Sequence, residues 1–337
     1  MGAATPIRHL DDRDLGDHHI LVAIDRSPFA DVCVPYALSL ARALGSQLTL
    51  MNVMEPLEHA GLHTNALGWE ISRQEARAHL ERLQEVAVRE LGRPVAVRLE
   101  QGHPAERIID VARELRADLT VLGSHGEGGR TAWNLGSTVQ HVIAVARGSV
   151  AVVHPAPGMA TLPPRRILAA LDGSARTECV LPVVARIARA FDAEIILAHV
   201  VAEPVATSVL RSREDLDLAR ALAGHQEISA KAYFENLRTS LEYAGTAVRT
   251  IVGRHANQRQ CILEIAQHEH ADLIVVAAHG AACDPARPFG SVTEYLLTHS
   301  SIPLLVLQDL PEAELLRTAP AVELAPPLRS SHPPECA

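Results

Sequence analysis

The residues best suited to chemistry lie in two short glycine-containing loops with the same spacing. Gly123-Ser-His-Gly126 is followed, after nine residues, by Gly136-Ser137, and Ala277-Ala-His-Gly280 is followed, after nine residues, by Gly290-Ser291. Each loop comes after an apolar run and before a helix-like stretch. In α/β proteins, loops in this position hold phosphate with backbone N–H groups. The spacing therefore predicts two related phosphate-binding loops.

An aspartate follows the first apolar run of each half of the chain. Asp25 ends the run that starts at Ile20, and Asp172 ends the equivalent run, 147 residues later. A carboxylate beside a ligand crevice can accept hydrogen bonds from ribose hydroxyls or an adenine amine. The same aspartates could instead cap the first helices through Asp-x-Ser turns. We favour the binding interpretation for both.

Two kinds of backbone contact with phosphate are expected in each loop. Gly123 and Gly126 allow the main chain to approach a phosphate without a Cβ clash. The start of the following helix can direct N–H groups at phosphate oxygens, and a serine hydroxyl can add a donor. The glycines could alternatively serve only a tight turn and close helix packing. The predicted helix-start residues are Gly136, Ser137 and Thr138 in the first half and Gly290, Ser291 and Val292 in the second.

The second loop departs from the first. Ala277 replaces the first glycine, Gly280 is retained, and the loop carries Pro285 and Pro288. A methyl group stands where the backbone could need to approach a ligand or to adopt a positive φ. Nucleotide binding by the second copy is therefore left open. The histidine within each loop is interpreted as bonding backbone, not as a catalyst.

The elements that position these loops alternate between strand and helix. In the first half, apolar runs predict strands at residues 20–24, 47–53, 95–99, 118–122 and 149–153. Alternating strands and helices predict an α/β fold with a doubly wound parallel sheet. The repeat predicts two domains, residues 18–155 and 165–308, joined by a linker at 156–164. The Pro-rich segment 309–337 is predicted to lie outside both cores.

Composition restricts the classes of partner. The 337 residues carry a net charge of −9 and no basic cluster, which argues against nucleic acid. No apolar run reaches the roughly 20 residues of a membrane helix. Five cysteines without a CxxC pair fit a reducing cytoplasm. The eighteen histidines include no recognised metal-ligand spacing, so no metal site is predicted.

The pattern Gly-x2-Gly-x9-Gly-Ser, with an aspartate closing the first strand, resembles the universal stress protein family in a tandem form. The resemblance covers about residues 18–155 and 165–308. It implies two Rossmann-like, five-stranded parallel sheets of order 3-2-1-4-5. The chain looks like the ATP-binding branch, with Mg²⁺ as the phosphate counterion. Val53 and Val200 match the family position whose backbone recognises adenine.

The resemblance also implies how the two halves associate. Fifth strands in this family pair at their edges, so Val150–Val153 are expected to pair with Leu304–Leu307. This pairing would make an intramolecular pseudo-dimer that could dimerise further. It would also cover apolar strand edges that otherwise invite aggregation.

Three classes of function fit a chain of this kind. A nucleotide-dependent regulator of the stress response is the prediction, and an ATP-independent interaction scaffold is the alternative. An enzyme of adenylyl or phosphoryl transfer would need a Walker lysine, HIGH-like histidines or a Ser-Gly-Gly-x-Asp-Ser loop. The sequence has none of these, so no catalytic residue is predicted.

Overall fold

The structure is a computed structural model. It describes residues 18–27, 30–55, 66–124, 135–145, 148–154, 163–205, 212–282 and 287–309. The predicted phosphate-loop residue Gly126 and most of the predicted linker and tail lie outside the described residues.

Ten strands and eight helices alternate along the described chain. The strands are β1 (His19–Ala23), β2 (Gln47–Met54), β3 (Ala96–Gln101), β4 (Leu119–Gly123), β5 (Ser149–Val153), β6 (Arg166–Ala170), β7 (Glu194–Ala202), β8 (Val248–His255), β9 (Leu273–Ala277) and β10 (Leu304–Leu307). The helices are α1 (Ala30–Leu44), α2 (Ala66–Leu91), α3 (Pro104–Glu114), α4 (Ser137–Val145), α5 (Val180–Phe191), α6 (Arg213–Tyr243), α7 (Gln258–His268) and α8 (Ser291–His299).

All ten strands form one sheet of order β3-β2-β1-β4-β5-β10-β9-β6-β7-β8. Each unit therefore has the order 3-2-1-4-5, as predicted. Strands within a unit pair in parallel, whereas β5 and β10 pair antiparallel, with Leu304 opposite Val152 and Val306 opposite Val150. The predicted joining of the two fifth strands is confirmed within the chain.

Apolar side chains cover both faces of the sheet, as the near-continuous apolar runs require. Successive residues of β1 alternate between two core layers: Ile20 and Val22 pack on one face, and Leu21 packs on the other. Helices α1, α2, α5 and α6 contribute to the first layer. Helices α3, α4, α7 and α8 contribute to the second. The result is a three-layer α/β/α molecule.

A repeated Asp-Leu step at the start of the fourth strand has a structural role. The Asp118 carboxylate accepts a hydrogen bond from the His19 amide at 2.9 Å. In the second unit, the Asp272 carboxylate accepts one from the Arg166 amide, also at 2.9 Å. Each aspartate thus fixes the start of the neighbouring first strand, which sets where that strand ends at the opposite edge.

The two units also meet through α1 and α5. Arg186 on α5 is buried and donates a hydrogen bond to the Leu44 carbonyl, the last residue of α1, at 2.7 Å. Arg93 donates to the carbonyls of Ala41, Gly45 and Ser46 at 2.6–3.1 Å. Terminal carbonyls of a helix need such partners when they are removed from water. One arginine from each unit therefore closes the end of α1.

Two further observations bear on the sequence predictions. In the part of the chain that the structure covers, every helix is too short or too polar to cross a bilayer. Asp309, the first residue of the predicted tail, is buried, with 4% of its surface exposed. The first residue of the predicted tail is therefore packed against the second unit.

Replacing Arg186 by methionine is expected to weaken the contact between the units. The Leu44 carbonyl would stay buried without its charged donor, which costs about 1.5–3 kcal/mol of unfolding free energy. Arg189→Met, on the exposed side of the same helix, is the matched control and should change it by less than about 0.5 kcal/mol. Urea unfolding measures both variants. Equal effects would contradict the role assigned to Arg186.

Candidate functional site

Three neighbouring strands bring the predicted residues of the first unit to one edge of the sheet. Ala23 of β1 lies opposite Met51 of β2 and Leu122 of β4. Asp25, Val53 and Gly123 follow these positions by one or two residues, so they lie side by side at the carboxyl edge. Ligands of open α/β sheets bind at this edge, where the strand order reverses.

A polar side chain from the second strand fixes the residue before each aspartate. Asn52 is buried and donates to the Ile24 carbonyl at 2.9 Å. His199 occupies the equivalent place, with Nδ1 donating to the Leu171 carbonyl at 2.8 Å. Sequence reasoning missed this pair, although both residues recur at the 147-residue offset of the aspartates.

Each aspartate forms an Asp-x-Ser turn. The Ser27 amide and hydroxyl donate to Asp25 Oδ1 at 3.0 and 2.5 Å. The Ser174 amide and hydroxyl donate to Asp172 Oδ1 at 2.9 and 2.6 Å. The turn considered as an alternative is therefore present in both units. The turn engages Oδ1 of each carboxylate, and ligand binding by the two aspartates stays a prediction.

The same backbone hydrogen bonds close both glycine loops. Ser124 donates to the Val153 carbonyl at 2.8 Å, and the Gly136 amide donates back to the Ser124 carbonyl at 2.9 Å. In the second unit, Ala278 and Gly290 form the equivalent bonds at 2.7 and 2.8 Å. The amides of Gly136 and Gly290 were predicted to face phosphate, but they already donate within the protein.

The start of the following helix keeps donors for a ligand. Helix α4 begins at Ser137, whose side chain is exposed, and Thr138 is half-buried beside it. Helix α8 begins at Ser291, also exposed, followed by the half-buried Val292. The first N–H groups of a helix have no partner within the helix and carry its positive partial charge. Phosphate binding at these positions stays a prediction.

The exchange of glycine for alanine at residue 277 leaves the backbone unchanged. Gly123 and Ala277 each end the fourth strand of their unit, opposite Val153 and Leu307. Neither has a positive φ. The Ala277 side chain is buried, with 4% exposed. A glycine is therefore not required here by conformation, and the two units differ at this position by one buried methyl group.

Asp172 makes more contacts than the Asp-x-Ser turn alone. Its Oδ1 also accepts from the Thr177 hydroxyl at 2.9 Å, and its Oδ2 accepts from the Ala281 amide at 2.6 Å. Burial acts to raise the pKa of Asp172, but these hydrogen bonds outweigh it, so the pKa is lowered. The carboxylate of the first strand is thereby joined to the loop after the fourth strand.

A second predicted binding position in this unit is also engaged. The Val200 carbonyl, matched to adenine recognition, accepts a hydrogen bond from the Gln258 side chain at 2.7 Å. Val200 itself is buried, whereas Val53 of the first unit is half-buried. The residue that starts α3 in the first unit, at the place of Gln258, is Pro104, which offers no side-chain donor.

A buried ionic cluster holds the second loop from its other side. Asp309, two residues after β10, accepts from the His279 amide and from His279 Nδ1, each at 2.9 Å. Its other oxygen accepts from Arg176 at 2.7 Å. His279 Nε2 lies 2.9 Å from the Arg287 carbonyl. The cluster connects β6, the loop and β10.

The geometry sets the charge of His279. One ring nitrogen faces a carboxylate oxygen and the other a carbonyl oxygen, and both of these oxygens are acceptors. Only the doubly protonated ring can donate to both. Burial acts to lower the pKa of His279, but the bonds to Asp309 and Arg287 outweigh it and raise the pKa above 6.5. His279 therefore bonds backbone, as expected, and is also one member of an ion pair.

The chain resembles known proteins along most of its length. The model of the universal stress protein family matches residues 18–154 and 164–308. A universal stress protein from Mycolicibacterium smegmatis is 26% identical over 306 residues, which cover 87% of this chain and 97% of that protein. A universal stress protein from Thermus aquaticus is 32% identical over 138 residues, which cover 40% of this chain and 96% of that protein.

A solved structure shares the fold. The crystal structure of a universal stress protein from Archaeoglobus fulgidus superimposes with a TM-score of 0.61 at 15% identity. The match covers 87% of this chain and 98% of that one. At this identity the likeness supports the fold and its tandem arrangement, and it does not extend to the ligand.

The stability of the second unit is expected to fall as the pH rises above about 6.5. A raised pKa of His279 stabilises the folded state below the ordinary value of 6.5, and the contribution is lost as the pH passes the folded pKa. Each unit of pKa elevation contributes about 1.4 kcal/mol. Asp309, whose pKa is lowered, loses its contribution only in acid, below its ordinary value of 3.8.

Thermal unfolding between pH 6 and 9 tests this dependence. His279→Gln should flatten the decline in melting temperature, whereas His225→Gln, at an exposed position on α6, should not. Parallel curves for the wild type and His279→Gln would show that His279 is not the titrating group.

Proposed function

Because the chain belongs to the universal stress protein family, we propose that its first unit binds an adenine nucleotide and that the protein is a nucleotide-dependent regulator of the stress response. ATP, with Mg²⁺ on its phosphates, is the proposed ligand. The free thiols of Cys33, Cys179 and Cys261 support a reducing compartment, such as the cytoplasm.

The observation that carries this proposal is the convergence of Asp25, Val53, Gly123 and Ser137 at one edge of the sheet. These residues come from three adjacent strands and one helix start. Along the edge an apolar strand end comes first, then a carboxylate, then a helix N-terminus. This order suits a base, a ribose and a phosphate chain, respectively.

Each group has a separate task in the proposed complex. Asp25, oriented by Ser27 and held in place by Asn52, accepts hydrogen bonds from ribose or adenine. The half-buried Val53 lies beside the base. The first amides of α4 and the Ser137 hydroxyl bind phosphate oxygens, and Gly123 and Gly126 leave room for the phosphate chain. Mg²⁺ would neutralise phosphate charge.

We propose regulation as the role of the bound nucleotide. A scaffold that needs no nucleotide is the alternative. The continuous ten-stranded sheet supports it, since the pairing of β5 with β10 joins the two units. The two functions differ in whether the protein needs a bound nucleotide: the regulator does and the scaffold does not.

Asp25→Asn is expected to weaken Mg-ATP binding about 10- to 100-fold, because a hydrogen bond to a charged group contributes about 1.5–3 kcal/mol. Isothermal titration measures the affinity. Asp217→Asn, an exposed change on α6, is the control and should leave it unaltered. Mass spectrometry of the ligand released from the purified protein identifies the nucleotide.

Gly123→Ala provides a second test, because Ala277 shows that the fold accepts alanine at this position. The variant should keep the wild-type melting temperature and lose affinity for the nucleotide. No nucleotide in the purified protein, and no heat of binding with Mg-ATP, would overturn the proposal and favour the scaffold.

A further inference from the structure

The described ends of the two glycine loops share one backbone framework, and side chains of the same chain hold the second loop. Its contacts come from two directions. Asp172 approaches from the end of β6, and Asp309 approaches from the end of β10. Both carboxylates accept loop amides, those of Ala281 and His279. A carboxylate accepts an N–H group as a phosphate oxygen does.

Asp172 accepts hydrogen bonds from four protein donors. Ser174 supplies an amide and a hydroxyl and Thr177 supplies a hydroxyl, all to Oδ1, and Ala281 supplies an amide to Oδ2. A ribose or adenine that used Oδ1 of this carboxylate would have to replace at least one of these bonds. A nucleotide phosphate would compete with it for the Ala281 amide. The Asp172 side chain therefore engages both groups that a nucleotide would use, its own carboxylate and the Ala281 amide.

The approach of Asp172 to the loop depends on glycine at residue 280. A Cβ built on Gly280 would overlap Asp172 Oδ2 and lie 3.4 Å from its Cγ. Gly280 does not have a positive φ, so space and not conformation explains the glycine here. The space beside Gly280, which a phosphate could occupy, is filled by the Asp172 carboxylate.

Asp309 is paired with two positive groups beside the second loop. The Arg176 guanidinium and the His279 imidazolium both contact its carboxylate. In the first unit, Arg176 corresponds to Phe29 at the 147-residue offset of the aspartates. Asp309 corresponds to Pro155 at the 154-residue offset of the glycine loops. The sequence of the first unit therefore has neither the arginine nor the second aspartate of this cluster.

We infer that Asp172 is an internal anion that occupies the second loop, and that the chain consequently takes one nucleotide, in its first unit. The count of one rests on the proposed function of the first unit. The contact of Asp172 with Gly280 and Ala281 does not, and it can be tested separately. The second unit would then serve to stabilise the molecule and its central strand pairing.

A double-mutant cycle tests the contact. Gly280→Ala should lower the melting temperature of the wild type, because the new methyl group displaces Asp172. In an Asp172→Ala background, the same substitution should have little further effect. Gly224→Ala is the matched control, since a Cβ there meets no atom within 4 Å. Equal losses from Gly280→Ala in both backgrounds would overturn the inference.

Hydrogen exchange on the unmodified chain gives a measurement that does not depend on the folding of a variant. The Ala281 amide should be protected in the wild type without nucleotide, because it donates to Asp172. In Asp172→Asn, a nearly isosteric change, its exchange should accelerate at least tenfold. An unprotected Ala281 amide in the wild type would contradict the contact directly.

Counting bound nucleotide by equilibrium dialysis with Mg-ATP completes the test. One nucleotide per chain, lost in Asp25→Asn and kept in Asp172→Asn, is expected. Two per chain in the wild type would overturn the inference and leave the proposed function intact. None in any form would overturn the proposed function, and with it the count of one. The contact of Asp172 would then be judged by the cycle and by exchange.

Discussion

The antiparallel pairing of β5 with β10 is the contact on which the rest of the molecule depends. A parallel five-stranded unit ends in a fifth strand that is buried on both faces, and such a strand cannot be left as an open edge. Pairing the two fifth strands removes both edges at once. The outer edges are then β3 and β8, which carry charged side chains such as Arg98 and Arg249.

This pairing also determines what the ends of the central strands can do. Because β10 lies next to both β5 and β9, the chain that leaves it is placed against the loop that follows β9. In the second unit Asp309, two residues after β10, brings a negative charge to this loop. At the equivalent position the first unit has Pro155, so the backbone framework is repeated but this charge is not.

Much of this architecture could be predicted from the sequence, because it depends on periodicity and repetition. Apolar runs fix the strands to within one or two residues, as for β3, predicted at 95–99 and found at Ala96–Gln101. What could not be predicted are side-chain contacts with distant backbone. Arg186 and Leu44 are 142 residues apart, and no local pattern marks them. Asp309 is the first residue of a Pro-rich segment, so the sequence predicts that it is exposed. Its burial follows from the position of β10 beside the loop after β9.

The central claim is that the two loops are unequal, with nucleotide in the first and a protein carboxylate in the second. Photolabelling with 8-azido-ATP, followed by peptide mapping, tests it most directly. The account predicts ATP-competed label in peptides of the first unit, around Asp25, Val53 and Ser137. Equal label in the matching peptides around Asp172, Val200 and Ser291, or label confined to them, would contradict it.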